Sequence, residues 1–163
     1  MDILVSACLL GTLCRYDGAS RPCGELARLE VLGHRLIPVC PEVMGGLPTP
    51  RPPAELQRDG RVVDREGKDV TEAYRLGAEE VLELARAHRC TLAVLKERSP
   101  SCGRGQIYDG SFTGRLTEGS GVTARLLEEH GVQVYGESEA GTLAERGEAR
   151  EEAPKVLDLA DFL

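Results

Sequence analysis

Apolar residues in this chain follow two rhythms. Short, nearly continuous runs, DILVSA (2–7), RLIPV (35–39), TLAVL (91–95) and VQVYG (132–136), have the length and β-branched content of strands buried on both faces. Between them, apolar residues recur every three or four positions. ELARLEVL (25–32), closed by Gly33, predicts a short helix, and SGVTARLLEEH (120–130) predicts another, stopped by Gly131. The strongest helical pattern is EAYRLGAEEVLELARAH (72–88), with Ala73, Leu76, Gly77, Val81, Leu84 and Ala85 at helical spacing and Thr71 as the expected N-cap. Strands and helices in this order predict an α/β fold. The expectation is a single Rossmann-like domain, its mainly parallel sheet doubly wound with flanking helices.

Several stretches break the rhythm. CLLGTLCRYDGASRPCG (8–24) is irregular, and PEVMGGLPTPRPPAE (41–55) predicts a long loop, with five prolines and two glycines between 41 and 53. So much rigid backbone in one loop shapes a site or wraps a surface. LQRDGRVVDREGKDVT (56–71), with its Asp-Gly and Glu-Gly turns, predicts a small β-hairpin insertion, and residues 96–118 predict a loop after the third strand. After Gly136 the chain turns acidic, with six Glu against two Arg between 137 and 152. Residues 1–136 therefore read as the α/β domain. Residues 137–163 read as an acidic helix and tail, packing on the domain or extending from it, with KVLDLADFL (155–163) able to fold back.

Composition narrows the function. A chain of 163 residues, 41% of them apolar, is enough for one domain with a proper core. With a net charge of −7, 4% aromatic residues and no Trp, it lacks the basic face and stacking platforms of a polynucleotide binder. No basic segment or cleavage site marks the N-terminus as a leader, and no apolar run is long enough for a membrane span. Six cysteines without an export signal belong to a reducing compartment, so the cytoplasm is the expected location. There a cysteine serves as metal ligand, catalytic thiol or buried small hydrophobe.

Three of the six lie in special places. Cys8 follows the first strand, Cys40 closes the second, and Cys102 lies in SPSCG after the third. In an open parallel sheet, ligands bind outside the carboxyl ends of the strands, so these thiols fall at one edge. Three soft donors from distant segments point to a soft-metal site. Both a zinc with three thiolates and an open fourth position and an iron–sulfur cube held by three cysteines satisfy that geometry. Cys90, between helix and strand, reads as core, while Cys14 and Cys23 read as spare ligands or exposed loop thiols. Other cysteine chemistry fits poorly. A Cys-x5-Arg phosphatase loop from Cys8 would need Arg at 14, where a Cys stands. His34, His88 and His130 lie near helix ends, away from the strand tips, and CxxC does not occur. Around the trio lie Glu42, Ser99 and Ser101, with Arg15, Asp17, Arg21, Arg51 and Lys96 in the same loops. A carboxylate beside a metal centre is suited to carrying protons if partial burial raises its pKa.

Three blocks, VSACLLGTLCRYDG, VCPEVMGGLPTPRPPAE and LKERSPSCGRG, resemble in order the signature blocks of the bacterial thiouracil desulfidase (TudS-type) family, formerly a domain of unknown function. The resemblance runs from about residue 2 to 136. It implies a [4Fe-4S] cluster held by Cys8, Cys40 and Cys102 with one iron free of protein ligands. It also implies non-redox conversion of a thiolated pyrimidine, a 2- or 4-thiouracil or its nucleotide, to the oxo-pyrimidine and sulfide. Glu42 then matches the acid, a serine of SPSC assists, with Ser101 placed ahead of Ser99 for its proximity to the ligand, and Arg15, Asp17, Arg21, Arg51 and Lys96 become candidate substrate contacts. Two other readings compete. One is a non-catalytic protein that stores or senses a cluster or sulfide, the other a zinc-dependent hydrolase on the same cysteines.

Overall fold

The computed structural model describes residues 1–152, and the KVLDLADFL tail lies outside the described residues. Along the chain follow β1 (Asp2–Ser6), α1 (Leu26–Val31), β2 (Arg35–Val39), α2 (Pro41–Met44), β3 (Ala54–Leu56), β4 (Val62–Asp64), α3 (Thr71–Ala87), β5 (Leu92–Leu95), β6 (Gln106–Tyr108), β7 (Leu116–Glu118), α4 (Val122–Glu129), β8 (Gln133–Gly136) and α5 (Ala140–Glu152). β1, β2, β5 and β8 form one parallel sheet in the order β2-β1-β5-β8. The α/β, Rossmann-like architecture with its hairpin insertion is the one expected from the sequence.

Alternation along the strands builds two cores. Leu4, Ala93, Leu95 and Val134 face α3 and α4 together with Val81, Leu82, Ala124 and Leu127. Ile3, Val5 and Val94 face the other way, onto Leu26 and Leu29 of α1 and Ala140 and Ala144 of α5. The strand order reverses at β1, which pairs with β2 on one side and β5 on the other. Helices leave on opposite faces there, opening a crevice at the carboxyl ends.

The structure corrects four local expectations. Residues 41–55 are not one loop. Pro41–Met44 form a single helical turn with proline at its first position, and β3 begins at Ala54. A four-residue helix is too short to show a period. Residues 96–118 contain the antiparallel hairpin β6–β7, pairing Gln106 with Glu118 and Tyr108 with Leu116. Its three-residue strands expose Gln106, Thr117 and Glu118, so no alternation is visible. The stretch after the first strand is also more regular than read, with Ala7–Leu10 forming a 3-10 turn. Thr71 opens α3 rather than capping it. Asp69 Oδ1 accepts the Thr71 N–H (2.9 Å) and hydroxyl (2.5 Å), and Thr71 Oγ1 accepts the Val62 N–H (2.9 Å), tying β4 to the helix.

One contact sets the position of α2. A Cβ on Gly77 of α3 would stand 1.9 Å from the Pro41 carbonyl oxygen, and one on Gly45 would stand 1.9 Å from that of Ala73. The two backbones touch with no side chain between them. Gly77→Ala should therefore destabilise the fold, by about 2 kcal/mol or more, although alanine gains about 1 kcal/mol in helix propensity. The expected thermal midpoint falls by roughly 5 °C. An unchanged or raised midpoint would show that α2 is free to shift.

Candidate active site

Each strand end presents its cysteine through a different local device. After β1 the 3-10 turn Ala7–Leu10 carries Cys8, and Gly11 closes it with φ 94°. After β2, Cys40 is extended and leads directly into α2, which places Glu42 in the first turn. After β5, the Ser99 hydroxyl accepts the N–H groups of both Ser101 and Cys102 at 3.1 Å, bending the chain so that Cys102 turns back over the sheet. Gly121 completes that bend, since a Cβ there would stand 2.4 Å from the Ser101 carbonyl. The Ser6 hydroxyl accepts the Lys96 N–H at 2.8 Å, pinning the ends of β1 and β5 together at the reversal point.

These segments surround a cavity of about 620 Å³. Of the residues singled out in the sequence, Cys8, Cys40, Cys102, Glu42, Ser99, Arg15, Arg21, Arg51 and Lys96 line it. Two do not. Asp17 is exposed and accepts the Ala19 N–H at 3.0 Å, shaping its own turn. Ser101, ranked first for its place beside Cys102, is fully buried and shares a 2.7 Å hydrogen bond with Thr123. Neighbouring positions in a tight turn face opposite ways, and the cavity side falls to Ser99. None of the three histidines lines the cavity, and His88 sits with Asp2 and Arg35 at the opposite sheet edge.

Burial dominates the thiol chemistry. It pushes Cys8 up to about 11 and Cys40 to about 12, and Cys102 well above the ordinary thiol range. Glu42 and the neighbouring thiols raise them further, while Lys96 and Arg15 work against this at Cys8 and Ser6 does so at Cys102. Without a cation all three prefer the neutral form. As thiolates they would be donors held together only by a metal centre that offsets their desolvation. Cys14 joins them: it is buried, lines the cavity, and its backbone carbonyl accepts the Cys40 thiol at 3.8 Å. Cys23 lies elsewhere, its thiol donating to the Glu137 carbonyl at 3.9 Å, and Cys90 is core.

Glu42 and Arg51 form the polar centre. Arg51 Nη2 donates to Glu42 Oε2 at 2.9 Å and to the Cys14 carbonyl at 3.0 Å, with side chains 6% and 14% exposed for Arg51 and Glu42. Burial raises the Glu42 pKa above the usual carboxylate range, although Arg51 and Ser99 pull it down. Among the described residues, two buried side-chain polar atoms have no hydrogen-bond partner, Glu42 Oε1 and Arg15 Nη1. Burying such groups unpaired is costly, so a cavity with an orphan acceptor and an orphan donor is built for a ligand.

The rest of the lining was not legible in the sequence. Glu55 comes from β3, Arg65 follows β4, and Tyr108 and Phe112 come from β6 and its turn. Glu55 ends the proline-rich block, and the other three lie in segments that read only as a hairpin and a loop, with nothing to aim any of them at the cysteines. Counting them, the cavity carries the cations Arg15, Arg21, Arg51, Arg65, Lys96 and Arg98 against the carboxylates Glu42, Glu55 and Glu97. A chain of net charge −7 thus folds a positive pocket.

The chain is similar to known proteins. The chain is 44% identical over 146 residues to the uncharacterized protein YbbK of Bacillus subtilis (strain 168), a match covering 84% of this chain and 96% of that protein. It also superposes on a solved structure described as the [4Fe-4S]-dependent thiouracil desulfidase TudS, with a TM-score of 0.82 and 49% identity, over 89% of this chain and 96% of that one. The 2-thiouracil desulfurase family model matches residues 3–139, a span that includes all three strand-end cysteines and the Glu42–Arg51 pair. The chain belongs to the 2-thiouracil desulfurase family.

Proposed function

We propose that this protein is an iron–sulfur-dependent desulfidase that replaces the sulfur of a thiolated pyrimidine, free base or nucleotide, with oxygen from water and releases sulfide. The observation that carries the reading is the convergence of Cys8, Cys40 and Cys102 on one cavity beside a buried Glu42 whose Oε1 has no partner. The TudS description supports both the cofactor and the reaction class. The donor set fits the cofactor: three soft thiols, two buried and one half-buried, with no histidine beside them suit iron–sulfur ligation, leaving one iron without a protein ligand. Among the described residues, no three Cys, His, Asp or Glu side chains gather around one metal-ion position, as a zinc would require. Thiols spread around the cavity suit separate irons of one cluster.

When bound, such a cluster supplies a Lewis acid for the thiocarbonyl sulfur. The chain's own residues then handle water and protons. Glu42 Oε1 accepts a proton from water as it attacks the ring carbon, while Arg51 holds Oε2 and fixes the carboxylate's tilt. A carboxylate with a raised pKa also returns that proton to the departing sulfur more readily than an ordinary one. Arg15, with an unpartnered Nη1, donates to an acceptor on the substrate. The positive lining favours both an anionic substituent and hydrosulfide leaving. Ser99 replaces Ser101 as the assisting serine in this reading, because only Ser99 faces the cavity.

Three outcomes follow. Anaerobic reconstitution of Cys8→Ser, Cys40→Ser or Cys102→Ser should yield protein without a stable cluster, whereas Cys90→Ser should keep its iron and lose stability. A full iron count in Cys102→Ser would remove that ligand. In cluster-replete Glu42→Gln, thiouracil should still bind while single-turnover desulfuration drops about 10²–10⁴-fold. Near-normal turnover would place the proton carrier elsewhere, whereas a cluster-replete parent protein that releases no sulfide from thiouracil would favour a cluster-storage role. Ser101→Ala should lower stability by about 1 kcal/mol through the lost Thr123 bond and leave turnover near normal. Ser99→Ala should reduce both turnover and cluster retention, because it frees the Cys102 N–H. The reverse order of the two serines, measured side by side, would restore Ser101 to the site.

A further inference from the structure

Phe112 has a φ of 57°, a left-handed conformation that bulky side chains avoid. The surrounding residues hold it there. Glu55, 8% exposed, accepts the N–H groups of Gly110 (2.9 Å) and Phe112 (3.1 Å) on the same oxygen, Oε1. Asp109 Oδ1 accepts the N–H (2.9 Å) and hydroxyl (2.5 Å) of Ser111, bracing the turn from the other side. The Arg65 guanidinium lies over the Phe112 ring, 6.0 Å from its centre.

Among the described residues, the ring meets the Arg65 guanidinium but enters no apolar core. Phe112 belongs to none of the three buried apolar clusters, and it is half-buried in the cavity wall with Tyr108. Glycine would adopt the same φ without strain. A buried carboxylate is thus committed to keeping an aromatic residue at a cavity-lining position where glycine would be easier. Strain of this kind persists where function uses the side chain.

We propose that Phe112 is a specificity-determining residue, the aromatic wall on which the substrate's planar heteroaromatic ring stacks, and that Glu55 is the positioning residue that holds the turn carrying it. The proposal rests on the desulfidase reading above and adds the contact that selects a ring over a bare thiocarbonyl. Stacking suits the task because any flat heteroaromatic face satisfies it, while Glu42 and Arg15 read the polar edge. The wall comes from β6–β7 and its support from β3, so both small hairpins serve the site.

The test uses cluster-replete protein and three variants. Phe112→Gly removes the ring and relaxes the backbone, Phe112→Tyr keeps the ring, and Glu55→Ala keeps the ring but releases the turn. Phe112→Gly should raise the KM for thiouracil and the dissociation constant for uracil (equilibrium dialysis) by roughly five- to hundredfold, the usual range for one lost base–aromatic stack, with kcat within about threefold. Its melting temperature should equal or exceed that of the parent, because the strain is gone. Phe112→Tyr should behave as the parent. Glu55→Ala should raise KM in the same direction, and the double variant should add little to Phe112→Gly alone. Unchanged uracil binding in Phe112→Gly, or a lowered melting temperature with unchanged KM, would overturn the wall and make Phe112 a structural residue. If the parent protein binds uracil in a Phe112-dependent way but releases no sulfide from thiouracil, the desulfidase reading fails and the ring wall stands.

Discussion

Where α2 crosses α3, Gly45 and Gly77 bring backbone against backbone, leaving no room for even a methyl group on either side. A four-residue helix has no stability of its own, since the cost of nucleating a helix exceeds what one turn returns. α2 persists because this contact docks it. Cys40 precedes that turn, Glu42 lies in it, and Arg51 ties it to the Cys14 carbonyl and, through its own N–H at 2.8 Å, to the Tyr16 carbonyl. A shift of α2 by one ångström would therefore move a candidate ligand, the candidate acid and its cation at once. The proline-rich stretch that follows performs the shaping role its composition suggested, but it does so from a docked turn.

The second constraint is electrostatic. Three thiols, a carboxylate and several cations are withdrawn from water into one cavity, and each alone would be costly to bury. The solution is mutual. Arg51 offsets Glu42, Arg15 and Lys96 act on Cys8, and Ser6 acts on Cys102. What remains unmatched is specific: one carboxylate oxygen and one guanidinium nitrogen without partners, and thiols that prefer to stay protonated. Those are the groups a cofactor and a substrate would complete. The net charge of the whole chain therefore says little about the pocket.

The region after β8 contributes to the site as well as to the fold. Glu137 accepts from the Lys96 ammonium at 2.8 Å and from the Glu97 N–H at 2.8 Å, and the Ser138 N–H donates to Glu97 at 2.8 Å. Gly136 lies so close to Glu97 that a Cβ would collide with its carboxylate. The start of the acidic segment thus clamps the β5 loop that leads to Ser99 and Cys102. α5 then buries Ala140 and Ala144 in the core it shares with α1. A helix that reads as a solvated acidic run has an apolar stripe made of alanines, too small to stand out in the pattern.

The sequence alone determined the scaffold and brought three candidate ligands to one sheet edge. Short β-branched runs and a 17-residue helical period are local signals, because a strand buried on both faces or a helix buried on one must show them wherever it sits. The rule that parallel strands end at one edge then carried Cys8, Cys40 and Cys102 together, and proximity in sequence carried Glu42. The tertiary structure decided the rest. Whether Ser99 or Ser101 faces the cavity depends on the hand of a turn set by Gly121 and Thr123, some twenty residues away. Arg51 reads as a loop cation until the fold brings it 2.9 Å from Glu42. Asp17 lies in the right block and is exposed, while Tyr108 and Phe112 lie in an unmarked segment and line the cavity. A side chain's direction from an irregular loop is fixed by contacts with distant backbone, which no local window of sequence contains.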